Sequence, residues 1–316
     1  MPGVRTSLLL LAAALSAPGA DVRVGIIGTD TSHVPAFTKL LNDGTAPGHI
    51  PGARVVAAFK GGSPDLPDSF QRVDGFAGEI RSKYGVEIVP DIAALLPKVD
   101  AVLIESVDGR PHLEQARPVI AAHKPMFIDK PLAATLADAR EIARLAREAG
   151  VPWFSSSSLR FGPVGAAMRF ADATGASTWG PGPFEPHHPL DLAWYAIHPV
   201  EALYAILGPG CESVSRASGA DAEVIVGTWK DGRIGTVRAI RPYSDYGAVV
   251  YRPKEVVVSH PRSSEAADYR PLVSEIVKFF ETGKPPVSNE ETLEIFAFMD
   301  AAQRSRDRGG APVRLR

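Results

Sequence analysis

Val22-Arg23-Val24-Gly25-Ile26-Ile27-Gly28 is an apolar run that stops on a glycine, and the polar turn Thr29-Asp30-Thr31-Ser32-His33 follows it. Past the turn, Pro35, Phe37, Leu40 and Leu41 supply the apolar side of a helix. A strand, a tight turn and a helix in that order open a parallel sheet, because parallel neighbours need a crossover between them. The unit then repeats. Strands are expected at 54–59, 86–89, 101–104, 125–129 and 151–154, and helices at 92–96, at 112–122 and after Thr135. Thr135 with Asp138 makes a capping-box-like start for that last helix, and Gly150 ends it. Residues 21–154 are therefore expected to form a Rossmann-type α/β domain: a doubly wound parallel sheet with helices on both faces.

Beyond Ser155-Ser156-Ser157-Ser158 the alternation stops. Longer strands at 222–229 and 233–240 are joined by Lys230-Asp231-Gly232, a hairpin signal. Shorter ones follow at 248–251 and 255–259, and helices at 272–281 and 290–306 close the chain. This pattern predicts an α+β domain over 155–316 with a mostly antiparallel open sheet, suited to substrate binding and oligomerisation.

With 316 residues, 45% hydrophobic and 22% charged, the chain can bury a core in each of two domains. A net charge of -2 gives no footprint for nucleic acid or an anionic membrane. The lone Cys211 excludes an intrachain disulfide and a cysteine-based metal site. Arg5, the apolar run 8–15 and the small residues 16–20 have the layout of a secretory signal, too short to span a bilayer. Export, to a periplasm for example, is the expectation for the mature chain. An N-terminal extension on a cytoplasmic enzyme is the alternative.

Phe127-Ile128-Asp129-Lys130-Pro131-Leu132 reads as a buried strand presenting a lysine at its carboxyl end. In open parallel sheets that end is where small ligands collect. The turn after the first strand keeps Gly28 but sets Asp30 and His33 where two further glycines of a phosphate-binding fingerprint would fall. Thr29, Thr31, Ser32 and His33 remain as hydrogen-bonding groups for a cofactor, or form a polar helix cap. No acid for an adenosine ribose stands at the end of the second strand, and Lys60 with Ser63 could take a 2′-phosphate, so NAD and NADP are both open. Glu105, Ser106 and Asp108 follow the fourth strand beside the cofactor crevice, where they contact ribose or cap a helix. His198, just before Pro199, is placed at the mouth of a helix starting at that proline. There the helix dipole favours a neutral imidazole, a general acid or base near pH 7. His187, His188 and His198 with Glu185 or Asp191 could hold a metal, but they lack a helical two-histidine spacing, and no metal is expected.

These features together resemble the Gfo/Idh/MocA oxidoreductase family, over roughly residues 22–315. The stretches carrying it are Val24-Gly25-Ile26-Ile27-Gly28, Asp129-Lys130-Pro131-Leu132, Leu159-Arg160-Phe161, 198–208, Glu290-Glu291-Thr292-Leu293-Glu294-Ile295 and Gly309-Gly310-Ala311-Pro312-Val313. The resemblance implies a nicotinamide-dependent oxidoreductase acting on a sugar, cyclitol or related polyol. It implies that Lys130 touches both the reacting hydroxyl and the nicotinamide, with Asp129 before it. It places His198 on the family's substrate-side histidine and Glu201 on the acid three residues later. Arg160, His187, His188 and Tyr195 are candidates for the sugar side, and a homo-oligomer is expected. Trp194 stands where the family often has an aspartate. A redox-neutral glycoside-cleaving enzyme that uses NAD, and a non-catalytic exported carbohydrate-binding protein, are the alternative readings.

Overall fold

The computed structural model describes residues 20–266 and 268–316, so residues 1–19 of the expected export signal lie outside the described residues. The first sheet contains β1 (Val22–Ile27), β2 (Ala53–Phe59), β3 (Glu87–Val89), β4 (Ala101–Ile104), β5 (Met126–Asp129) and β6 (Trp153–Ser156). All its pairs are parallel, in the order β3-β2-β1-β4-β5-β6. The helices between these strands are α1 (His33–Asn42), α2 (Pro67–Phe70), α3 (Val73–Tyr84), α4 (Ile92–Leu95), α5 (His112–Ala121) and α6 (Leu136–Ala149). Every residue of β4, β5 and β6 is buried, as expected where helices cover both faces of a parallel sheet. The strand order reverses between β1 and β4, and this reversal opens a crevice at their carboxyl ends.

α6 shows how local sequence sets an element. Thr135 Oγ1 accepts the Asp138 amide, Gly150 takes the left-handed conformation at φ 65°, and Ala139, Ile142, Ala143 and Ala146 are buried. Removing Ile142 from water stabilises by about 1.5–3 kcal/mol.

The second sheet holds β7 (Gly175–Pro181), β8 (Cys211–Ser218), β9 (Ala222–Trp229), β10 (Ile234–Ile240), β11 (Gly247–Tyr251), β12 (Val256–Ser259) and β13 (Val313–Arg314). Its order is β12-β11-β7-β10-β9-β8-β13, antiparallel except for the β7–β10 pair. α7 (Ile197–Leu207) and α10 (Asn289–Arg306) pack against it, after α8 (Ser263–Ala266) and α9 (Arg270–Thr282) in the case of α10. Val256, Tyr251 and Ile234 lie in one cross-strand row on this sheet and are exposed. α9 does not join the second sheet: Leu272, Ile276 and Phe279 share a core with Val24, Phe127 and Phe154.

The short α2, α8 and β13 were not expected, and neither were the longer α3, β7 and β8. α3 buries only Ala77 and Ile80 and carries Gly75 and Gly78, so its apolar stripe is thin. β7 begins on glycine and ends in Gly180-Pro181, which masks a strand, and β8 is a half-polar run. α7 begins at Ile197 rather than at Pro199. The proline is its third residue, where its missing N–H falls among the amides a first turn leaves unpaired anyway.

Candidate active site

A cleft of about 190 Å³ lies between the carboxyl ends of the first sheet and the start of α7. Thr31, Ser32, His33 and Lys130 line one side, and Trp194, Tyr195 and His198 line the other. Tyr243, Tyr246 and Tyr269 also line it, together with the charged Asp68 and Arg72. The lysine and the histidine expected to act together therefore face one small space.

β5 delivers Lys130, whose Nζ stands 5.6 Å from the centre of the Tyr195 ring. Burial holds the amine below its usual range, against the opposing pull of Asp129, Asp68 and Glu105. His198 sits in the first turn of α7, with Nδ1 2.7 Å from Ser157 Oγ. That hydroxyl oxygen also accepts the Leu159 amide at 3.2 Å. The Ser157 hydroxyl can donate to Nδ1 or accept from it, and in either case it leaves Nε2 as the ring nitrogen not held by Ser157. Burial first, then the charges of Lys130 and His33, hold the imidazole well below its ordinary pKa, so the ring is neutral. Ser157 belongs to the serine run after β6, which carried no periodic or motif signal in the sequence.

At the floor, His33 Nδ1 is 2.7 Å from Asp129 Oδ2, and its ring stacks on Phe37 and meets Tyr269 edge-on. Burial acts to raise the Asp129 carboxyl, but His33 and Lys130 override it, and the group stays below the usual carboxylate range. Glu105 is fully buried, and neither carboxylate oxygen has a partner. Burial, Asp129 and Asp30 push its carboxyl well above the usual range.

The turn after β1 is held from within. Gly28 has φ 90°, and a Cβ there would lie 2.3 Å from Ser106 Oγ. The turn is therefore pressed against the end of β4, a close approach that only glycine permits. The Thr29 amide donates to Lys60 O at 2.8 Å, and Thr29 Oγ1 donates to Val73 O at 2.9 Å. Asp30 does not face the crevice: its carboxylate accepts Val107 N–H at 3.0 Å and Ser69 Oγ–H at 2.5 Å, and burial raises its pKa.

These residues fit the nicotinamide-ribose half of a dinucleotide best. The unpartnered acceptors of Glu105 and Asp129 beside Lys130 are chemistry that hydroxyl donors satisfy. At the phosphate half, Thr31 and Ser32 face the cleft. Lys60 forms an exposed pair with Asp74 at 2.8 Å, and the buried Ser63 donates to Asp108 at 2.6 Å.

The other sequence candidates are used elsewhere. Ser106 Oγ bonds Gln115, and Asp108 binds Arg110, which also holds Asp65. Arg160 is buried between Glu201 at 2.8 Å and Glu291 at 2.7 Å, away from the cleft wall. His187 is exposed and bonded to Glu185, while buried His188 bonds Leu190 O. The metal set weighed from these histidines does not assemble, since His198 is on Ser157 and Asp191 is bound by Arg216 and Arg306. Of the substrate-side candidates, Tyr195 lines the cleft. Sequence reasoning missed Tyr243, Tyr246 and Tyr269, which come from separate segments with no shared motif.

A parallel sheet whose order reverses between β1 and β4, with Lys130 at the end of the neighbouring β5, is a dinucleotide-binding type of architecture. Residues 22–156 match the family model GFO_IDH_MocA, described as an oxidoreductase family with an NAD-binding Rossmann fold. It is 46% identical over 79 residues to the 1,5-anhydro-D-fructose reductase of Ensifer adhaerens, a match spanning 25% of this chain and 23% of the reductase. A "probable dehydrogenase" from Thermotoga maritima superposes with a TM-score of 0.75 at 21% identity, covering 93% of this chain and 99% of that one. The myo-inositol dehydrogenase of Lactobacillus casei, solved with NAD(H) and myo-inositol, gives 0.72 at 18% identity, covering 94% and 97%. These two show a shared fold over both sheets. Among the described residues no helix is long and apolar enough to cross a membrane.

Proposed function

We propose that the protein is a nicotinamide-dependent oxidoreductase acting on a secondary alcohol carbon of a sugar, cyclitol or related polyol. The observation that carries this reading is the shared cleft of Lys130 and His198. The nicotinamide, when bound, accepts or supplies the hydride. Lys130 polarises the reacting hydroxyl and takes up its proton, a role that burial assists by weakening the amine's hold on its own proton. Neutral His198, held at Nδ1 by Ser157, presents Nε2 to a substrate oxygen and acts as acid or base. The wall of Trp194, Tyr195, Tyr243 and Tyr246 offers ring faces and phenol groups to a polyhydroxylated ring. The 1,5-anhydro-D-fructose reductase and inositol dehydrogenase named above support a sugar-like substrate. NAD is the favoured cofactor, in keeping with the NAD-binding description of the matching family model.

The deciding experiment is turnover of a polyol panel with NAD⁺ by the wild type and by Lys130→Ala. The variant should fold and lose activity; unchanged turnover removes the lysine from the mechanism. One observation favours a non-catalytic carbohydrate-binding protein instead, namely the internal closure of the turn by Asp30. A dinucleotide retained on purification, detected by mass spectrometry, would count against that.

The same reading assigns cofactor binding to residues 21–154 and substrate binding to 155–316. It makes the exposed row of Val256, Tyr251 and Ile234 a self-association face, and it takes residues 1–20 as an export signal, checked by N-terminal sequencing of the mature chain.

A further inference from the structure

Glu105 at the end of β4 has no exposure, and both its carboxylate oxygens lack a partner; Asp129 Oδ1 at the end of β5 is likewise unpartnered. Asp129 Oδ2 is held by His33 Nδ1 at 2.7 Å, but three carboxyl oxygens, two of Glu105 and one of Asp129, remain buried without a protein partner, which is costly unless a proton or a bound group satisfies them. Lys130 does not, since neither Glu105 oxygen is bonded to it and its Nζ stands over Tyr195. A proton on Glu105 or the hydroxyls of a ribose can satisfy some of these oxygens, whereas a cation engages both side chains at once.

His33, from the first turn of α1, completes the set. His33, Glu105 and Asp129 each place one ligand atom within 4.8 Å of the other two, and all three are buried. We propose that these three side chains bind a divalent first-row cation of the Zn²⁺ or Mn²⁺ kind. An imidazole with two carboxylates suits such ions, and three protein ligands leave coordination positions for water or a substrate oxygen. Two negative charges with a neutral imidazole balance a divalent ion. Phe37 stacked on the His33 ring at 5.3 Å and Tyr269 edge-on at 4.7 Å fix the imidazole's orientation. Asp30 stands outside the set, its carboxylate already engaged by Val107 and Ser69.

The test uses the full chain, stripped with a chelator and kept free of nicotinamide, so that its result is independent of the dehydrogenase reading. Zn²⁺ and Mn²⁺ are each titrated calorimetrically, and the metal content is measured after gel filtration. The expected result is a single ion per chain, with affinity lowered on the order of tenfold or more in both Glu105→Gln and His33→Gln. Circular dichroism confirms folding; should His33→Gln fail to fold, Glu105→Gln, which only removes a buried charge, decides alone. Absence of stoichiometric binding to the wild type, or wild-type affinity in Glu105→Gln, overturns the proposal.

Discussion

Lys130 carries its amine 5.6 Å from the centre of the Tyr195 ring, although one residue ends a strand of the first sheet and the other precedes α7 beside the second. The Tyr195 ring in turn lies 5.9 Å from that of His198. One aromatic side chain thus sits between the amine and the imidazole, and the functional reading depends on that juxtaposition.

Ser157 is a positioning residue: its 2.7 Å bond to Nδ1 fixes the aim of His198 without Ser157 lining the cleft itself. Ser157→Ala should lower kcat by about tenfold with little change in KM, and it should alter the acid side of the pH–rate profile. A merely structural serine would leave that profile unmoved.

His198 also gives stability a pH dependence. Its folded pKa is depressed, so as pH falls below about 6.5 the unfolded chain takes up a proton that the folded chain refuses. Stability should therefore decline through that window as pH falls, by about 1–2 kcal/mol from this group. Urea titrations at pH 7.5 and 5.5 should show a smaller decline for His198→Gln than for the wild type.

Glu105 works in the opposite sense. Its folded pKa is raised, so the folded state keeps a proton that the unfolded state loses, and stability falls as pH rises from about 4.3 toward the folded value. In metal-free protein, Glu105→Gln should be more stable than the wild type by about 1–3 kcal/mol at pH 8. The gain should shrink toward zero near pH 4, as read by thermal melts across the range.

Arg160 is the buried centre of a pair of ion bridges to Glu201 and Glu291. Arg160→Ala leaves buried Glu201 and half-buried Glu291 without their guanidinium and should cost about 3–5 kcal/mol in denaturant titration. If Arg160 were instead a substrate contact, the loss would fall on KM with stability preserved.

The parallel sheet was legible because its strands are short apolar runs separated by helices with plain caps, such as Thr135 and Gly150. Lys130 and His198 were legible as a strand-end lysine and a helix-start histidine. Arg160, His187 and His188 shared a polar sequence neighbourhood with the site, but buried ion pairing or solvent claims them. A charge's partner lies across the fold, and no local period reports it. The same holds for His33, Glu105 and Asp129. Each was noticed singly as a strand-end or turn residue, but only the β1-β4-β5 adjacency brings them within reach of a common ion.

The most direct test of the account follows the hydride. The protein is incubated with NAD⁺ and polyols deuterated at the carbinol carbon, and the cofactor is then analysed by mass spectrometry. The account predicts deuterium in the reduced cofactor with the wild type and none with Lys130→Ala. Unlabelled cofactor across the panel with the wild type, or equal labelling with the variant, would contradict it.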